Sequence, residues 1–234
     1  MAGHFSELPA TFNGLVRLFP LPNLVMFPHV VQPLHIFEPR YCDMLEEALA
    51  SDKLITMALL QPGHDDDYEG RPPIEEITCV ARVVSHTRLP DNRHNLLIYG
   101  LQRAKLVYEL PPSAAFRRAR VHTLDDAFDE KLAYQRDALR ENLISLFQEA
   151  MPKSNELQEK LHELVSQDLG LGVLTDIVAF TLALDTRIKQ SLLAEPNVDR
   201  RVSMLIMALQ AALKRPESIL PGGSRDWPPP FSVN

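Results

Sequence analysis

Apolar positions change their spacing along this chain near residue 124. Before that point they come in short clusters cut by proline. Leu15 to Phe19 and Val31 to Phe37 read as strands, joined by an apolar loop from Asn23 to Pro28. Each proline removes one ladder donor, so these strands must be short or lie at edges. Glu38, Pro39 and Arg40 read as a helix start, since proline at the first helical position gives up an N–H that would have no partner there. Tyr41, Leu45, Ala48 and Leu49 then recur at helical spacing to about Ser51. Leu54 to Leu60 is a continuous apolar run that suits a buried strand. Thr78 to Leu89 and His94 to Tyr99 flank a turn over Pro90–Arg93. Gly100 is expected to break the second of these strands, with Gln102 to Glu109 and Ala115 to Thr123 making two more. The pattern predicts a β-rich domain with one prominent helix, closed as an antiparallel or mixed barrel-like sheet.

From Leu124 the period becomes helical. Leu132, Leu139, Leu143, Leu146 and Phe147 share one face of a helix expected to begin near Asp125 or Asp126, whose carboxylates suit a positive helix N-terminus. Ser154 to Asp168, Leu174 to Leu184, Thr186 to Leu193 and Asn197 to Lys214 complete a predicted helical bundle, with Asp185 and Asn197 as N-caps. The organisation read from this pattern is a loose terminus over 1–14, a β domain over 15–123, helices over 124–215, and a Pro/Gly-rich tail over 216–234 that holds Trp227. Proline usage supports that division. Of 19 prolines, 12 precede Ser113 and only Pro152 and Pro196 fall between Ser113 and Arg215. Proline blocks helix interiors, so the first half is barred from being mainly helical and the second is not. The fold class is therefore α+β.

Charge and chemistry narrow the function. The net charge is −7, and residues 1–112 carry 9 basic against 14 acidic groups, which argues against general binding to phosphate backbones. Arg103, Lys105, Arg117, Arg118 and Arg120, with Phe116 and Tyr108, form the one cluster that would suit RNA. Cys42 and Cys79 have no neighbouring cysteine and read as reduced, semi-buried thiols. Asp65, Asp67, Glu69, Gly70 and Glu76 fall on calcium-loop positions, but Pro72 and Pro73 stiffen the interior and a strand precedes it, so a solvated acidic loop is expected instead. None of the eight histidines lies in a metalloprotease or nucleophile-turn motif, His35 and His86 sit within predicted strands as structural histidines, and no Walker A or G-x-G-x-x-G turn is present. No catalytic residue, metal or cofactor is expected. No apolar run is long enough to span a bilayer and no secretory leader is visible at the N-terminus, so a cytoplasmic location is expected.

The apolar, proline-spaced segment Leu24–Pro28 reads either as irregular core or as a surface for apolar segments of other proteins. That segment sits in a longer one, LFPLPNLVMFPHVVQPLHIFEPRY from Leu18 to Tyr41. Together with MALLQPG, YEGRPP and VARVVSHTRLPDNRHNLLIYGLQRAKL, it resembles the N-terminal substrate-recognition domain of Lon-type ATP-dependent proteases, especially small free-standing bacterial proteins built from that domain. Leu174 to Leu209 resembles the helical segment that follows it. The resemblance implies a PUA-like β barrel or pair of small sheets followed by helices. It also implies a non-enzymatic role in holding unfolded or apolar polypeptide segments, as an adaptor in protein quality control with a protease or chaperone as associate. The ATPase and Ser-Lys protease modules of Lon are expected to be missing, and Ser224 lacks the serine-lysine context. An RNA-binding module on a PUA-like fold is the alternative. Matching positions put Met26, Phe27, Pro28, Phe37, Leu89 and Leu101 forward for apolar contact and Arg103 as a polar anchor; Gly100 is expected to supply special backbone geometry, and Glu38 to pair with Arg40.

Overall fold

The computed structural model describes residues 6–63, 70–151 and 169–214. The predicted helix over 154–168, the acidic positions 65–69 and the tail over 216–234 lie outside them. The chain divides into two compact units, with the boundary between Asp125 and Asp126.

The first unit holds six strands and one helix. They are β1 (Leu15–Leu21), β2 (Val31–Ile36), α1 (Pro39–Leu49), β3 (Leu54–Leu59), β4 (Ile77–Arg88), β5 (His94–Glu109) and β6 (Arg117–Leu124). The strand order is β2-β5-β4-β3-β1-β6, and β5 also pairs with β6. Those pairings join β5, β4, β3, β1 and β6 into a ring, and leave β2 as an added strand beside the first half of β5. All neighbours are antiparallel except β1 and β3, which run parallel. A parallel pair needs a crossover, and α1 lies in the one between them. It packs on β1 and β3 through Tyr41, Cys42, Met44, Leu45 and Ala48, with the Phe19 and Tyr41 rings 4.5 Å apart. Burial on both faces explains the unbroken apolar run of β3, in which all six residues are buried.

The prolines sit where the ladder tolerates them. Pro33 is on β2, the added strand, and Pro20 lies past the part of β1 that pairs with β6. Two expectations fail in this unit. Gly100 does not end a strand: β5 runs unbroken for 16 residues, because Gly100 keeps its ladder position opposite Ala81 beside a register shift. Residues 6–14 are not a loose terminus either. Leu8 and Phe12 pack on the core formed by Val16, Leu18, Val80, Leu101, Ala119 and their neighbours, and Gly14 O accepts from Val121 N at 2.8 Å.

The second unit contains, among the described residues, a 3-10 turn at Glu130–Gln135, α2 (Arg136–Ala150), α3 (Leu171–Thr181), α4 (Thr186–Ala194) and α5 (Val198–Leu213). The other three helices pack on α5, which buries Val198, Val202, Leu205, Ile206 and Leu209. Asp185 and Asn197 cap α4 and α5 by accepting from Arg187 N and Arg200 N. The helix expected from Asp125 or Asp126 begins ten residues later, at Arg136. Of the two carboxylates read there as helix-start signals, Asp125 accepts from Gln102 Nε2 at 2.6 Å and Asp126 belongs to an ion pair with the buried Arg201. Asp126 reaches the fully buried Arg201 at 2.8 Å, and Asp129 caps the 3-10 turn through Lys131 N. Gly172 makes room for this, since a Cβ there would lie 2.2 Å from the Asp126 carboxylate. Arg201 also faces the buried Asp176 at 3.3 Å, and Arg136 pairs with the buried Asp199 at 2.8 Å.

A candidate polypeptide-binding face

The loop before β2 is built into the core. Val25, Met26, Phe27, Pro28 and Val30 are buried, with Phe27 completely inaccessible. Its backbone is clamped to β5: His29 N donates to Gly100 O at 2.8 Å and Gly100 N to Val30 O at 2.9 Å. The Phe27 carbonyl oxygen occupies the place of a side chain at Gly100, where a Cβ would stand 2.0 Å from it. Leu101 and Arg103 follow on β5 and are buried as well. Met26, Phe27, Pro28, Leu101 and Arg103 therefore do not form an accessible surface as folded. Arg40 pairs locally with Glu38 at 2.9 Å, as the sequence suggested.

Phe37 and Leu89 are placed differently. In the three-stranded part of the sheet, alternation turns Gln32, Leu34 and Ile36 of β2, Leu96 and Ile98 of β5 and Val83 of β4 inward. The opposite face runs in rows across β2, β5 and β4: Val31 with Tyr99 and Arg82, Pro33 with Leu97 and Ser85, His35 with Asn95 and Thr87. One step further, Leu89 N donates to Arg93 O at 2.7 Å, and the same alternation adds Phe37, Arg93 and Leu89 as a fourth row. A register shift between Val83 and Ser85 leaves Val84 as an extra, exposed residue beside Leu97. Val31 is 49% exposed, Val84 44%, Phe37 40% and Leu97 37%. Phe37, its ring 6.0 Å from that of His35, marks one end of this face, with the half-buried Leu89 on the far side of Arg93, and Val31, Val84 and Leu97 form an apolar group at the other end. The polar row between the two ends is held by a His35–Asn95 hydrogen bond of 2.7 Å.

Sequence reading named Phe37 and Leu89 and missed Val31, Val84 and Leu97. A signal was present. Val83–Val84 and Leu96–Leu97 are apolar doublets inside strands, and alternation forces one member of such a pair outward unless both faces are covered.

Reactive groups elsewhere are quiet. Burial pushes the Cys42 thiol up, and its Sγ lies 3.1 Å from Asn92 O. Burial, with His86 and Arg88 nearby, pushes the His94 imidazole down; its Nδ1 is 3.0 Å from His86 Nε2. Among the described residues no three His, Cys, Asp or Glu side chains gather as metal ligands. The basic cluster weighed for RNA is engaged internally. Arg117 holds Glu109 and Pro72 O, Arg118 holds Glu47, Arg120 donates to Asn13 O and Lys105 sits 3.4 Å from Glu76. No described helix is long and apolar enough to cross a membrane.

The model of the ATP-dependent protease La (Lon) substrate-binding domain matches residues 16–211. This chain belongs to that family. The Lon protease of Brucella suis is 27% identical over 201 residues, covering 86% of this chain and 24% of that protein. The Lon protease of Heliobacterium modesticaldum is 28% identical over 189 residues, covering 80% and 23%. The chain thus spans about a quarter of the Lon proteases it matches. In fold it is similar to the N-terminal domain of the Mycobacterium avium complex Lon protease, with a TM-score of 0.65 at 17% identity over 84% of this chain and 98% of that one. It is also similar to a Lon N-terminal domain protein from Xanthomonas campestris, with a TM-score of 0.57 at 18% identity over 82% and 97%. The Lon-type match runs through both units, so the helices are part of the family's pattern.

Proposed function

We propose that this chain captures apolar segments of unfolded polypeptides on the outer face of β2, β5 and β4, and acts as a non-catalytic recognition component in protein quality control. Membership in a substrate-binding family supports binding as the role. The observation that carries the location is the exposure of Val31, Phe37, Val84 and Leu97 on one face of a sheet whose other face is core. The two ends of this face are about four residues apart along β2. At about 3.3 Å per residue, an extended segment of five or six residues would reach both. Its apolar side chains would bind through loss of water-exposed area, at about 25 cal/mol per Å², with no bond made or broken. Ordering the bound chain offsets much of that gain, so affinity in the micromolar range is expected.

Titrating fluorescently labelled unfolded casein against the protein tests this reading. Wild type should bind, and Val31→Ser with Leu97→Ser should weaken binding about tenfold while leaving the circular dichroism melt nearly unchanged, because both residues are already exposed. Absence of binding by folded wild type overturns the proposal.

A further inference from the structure

The turn between β4 and β5 keeps its shape through side-chain contacts rather than backbone preference. Asp91 and Asn92 have φ of 60° and 56°, in the left-handed region. Asn92 is gripped from two sides. Arg88 donates to its Oδ1 at 2.9 Å, and Cys42 Sγ on α1 donates to its carbonyl oxygen at 3.1 Å. At the foot of the turn, His86 Nε2 and His94 Nδ1 lie 3.0 Å apart, a hydrogen bond between the two strands. His86 is exposed, whereas His94 is 2% exposed and its Nε2 is buried with no hydrogen-bond partner.

That unpartnered nitrogen fixes how many protons the closed pair can hold. With both rings neutral, His94 Nδ1–H donates to His86 Nε2, and His94 Nε2 is a bare lone pair, the less costly group to bury alone. After one proton is added, each form that keeps the hydrogen bond places a hydrogen on His94 Nε2, a buried donor with no acceptor. Burial, and then His86 and Arg88 on β4, oppose a proton on His94, while Glu46 on α1 favours it; Ile36, opposite His94 on β2, carries no charge. Asp91 and Arg93 of the turn face each other at 4.0 Å. Burial, then Asp43, Glu46 and Glu38 against Arg88, keep the Cys42 thiol protonated, so it remains a donor to Asn92.

We infer that the His86–His94 pair is a proton-operated latch: neutral, it holds the β4–β5 turn against α1, and on acidification it lets the turn go. Once released, His94 regains solvent and takes up the proton that the closed pair excludes. Release is therefore favoured as pH falls through the ordinary imidazole range. The turn also carries Leu89 and Arg93, one end of the candidate face; an effect on polypeptide capture rests on that reading, and the latch itself does not.

Two buried thiols make the latch measurable. Cys42 reports on it, because Asn92 O sits against its Sγ, and Cys79, in the core of β4, reports on global unfolding. The full chain is labelled with dithiodipyridine at about pH 7.5 and about pH 5.5, on either side of the imidazole range. Peptide mass spectrometry assigns the site, and each rate is divided by that of the urea-unfolded chain at the same pH. Normalised Cys42 labelling should rise about tenfold at the lower pH, the gain for one imidazole that titrates at about 6.5 only when released, while Cys79 stays protected. His94→Gln, whose amide can donate to His86 or accept from it and does not titrate, should flatten the response. His94→Phe serves the same comparison if that variant unfolds. Cys42 protection that is unchanged by pH in the wild type would overturn the latch. Exposure of both cysteines together would do so as well, since it marks global acid unfolding, as would an acid response that survives in a folded His94 variant.

Discussion

Phe27 shows how a residue can look like a binding anchor and be a structural one. It is aromatic, flanked by proline and set in an apolar loop, yet its ring is buried and its carbonyl is seated against Gly100. A side chain at position 100 would collide with the backbone of Phe27 and Pro28, which unlike a flexible side chain has nowhere to go. Gly100→Ala should therefore destabilise the protein by about 3 kcal/mol, read as a lowered midpoint in urea. Gly170→Ala meets open space and should shift the midpoint by less than about 0.5 kcal/mol. Equal effects at the two positions would contradict the clamp. By the same reasoning Phe27→Ser loses a buried ring and reports on stability rather than on binding, whereas Leu97 and Val31 report on the surface. Sequence made Phe27 and Gly100 visible as important positions. Only their juxtaposition, 73 residues apart in the chain, revealed why.

At the scale of elements, local signals survived where the physics is local. The caps at Asp185 and Asn197 could be read because a capping side chain bonds backbone two or three residues away. The buried strand β3 and the proline at the start of α1 were legible for similar reasons. Asp126 was not, because its arginine partner lies 75 residues downstream, on α5. Gly100 was misread as a break because glycine weakens an isolated strand, while here pairing with β4 holds β5 continuous across it. The junction of α3 and α4 yields a prediction. Lys189 on α4 donates to Phe180 O at 2.9 Å near the end of α3, and burial pushes its ammonium down to about 8. Between about pH 8 and 10.5 the unfolded chain then holds this proton while the folded one does not, so stability rises with pH across that window. Relative to Lys189→Met, the wild type should gain roughly 3 kcal/mol from pH 7.5 to 10.5 in urea unfolding. A difference that stays flat with pH would show that the lysine is not desolvated.

On the scale of the molecule, one sheet presents two faces in different surroundings. The inward face holds the unit together; the outward one offers Val31, Phe37, Val84 and Leu97 to solvent next to arginines. The family model matched over residues 16–211 is a substrate-binding domain, and the chain spans about a quarter of the Lon proteases it matches, so the prediction at this scale follows from the proposed binding role. Incubated with the purified protein, unfolded casein should show raised anisotropy yet remain intact on a gel, with or without ATP. Fragments that track the protein through purification would refute that expectation. The α+β class, the change from proline-cut strands to helices near residue 124, the helix caps and the family itself were determined by the sequence alone, because they rest on periodicity, backbone chemistry and short motifs. Which apolar residues stay accessible was decided only by tertiary structure. Exposure depends on strand register and on what covers each face, and those are set by pairings between segments far apart in the chain.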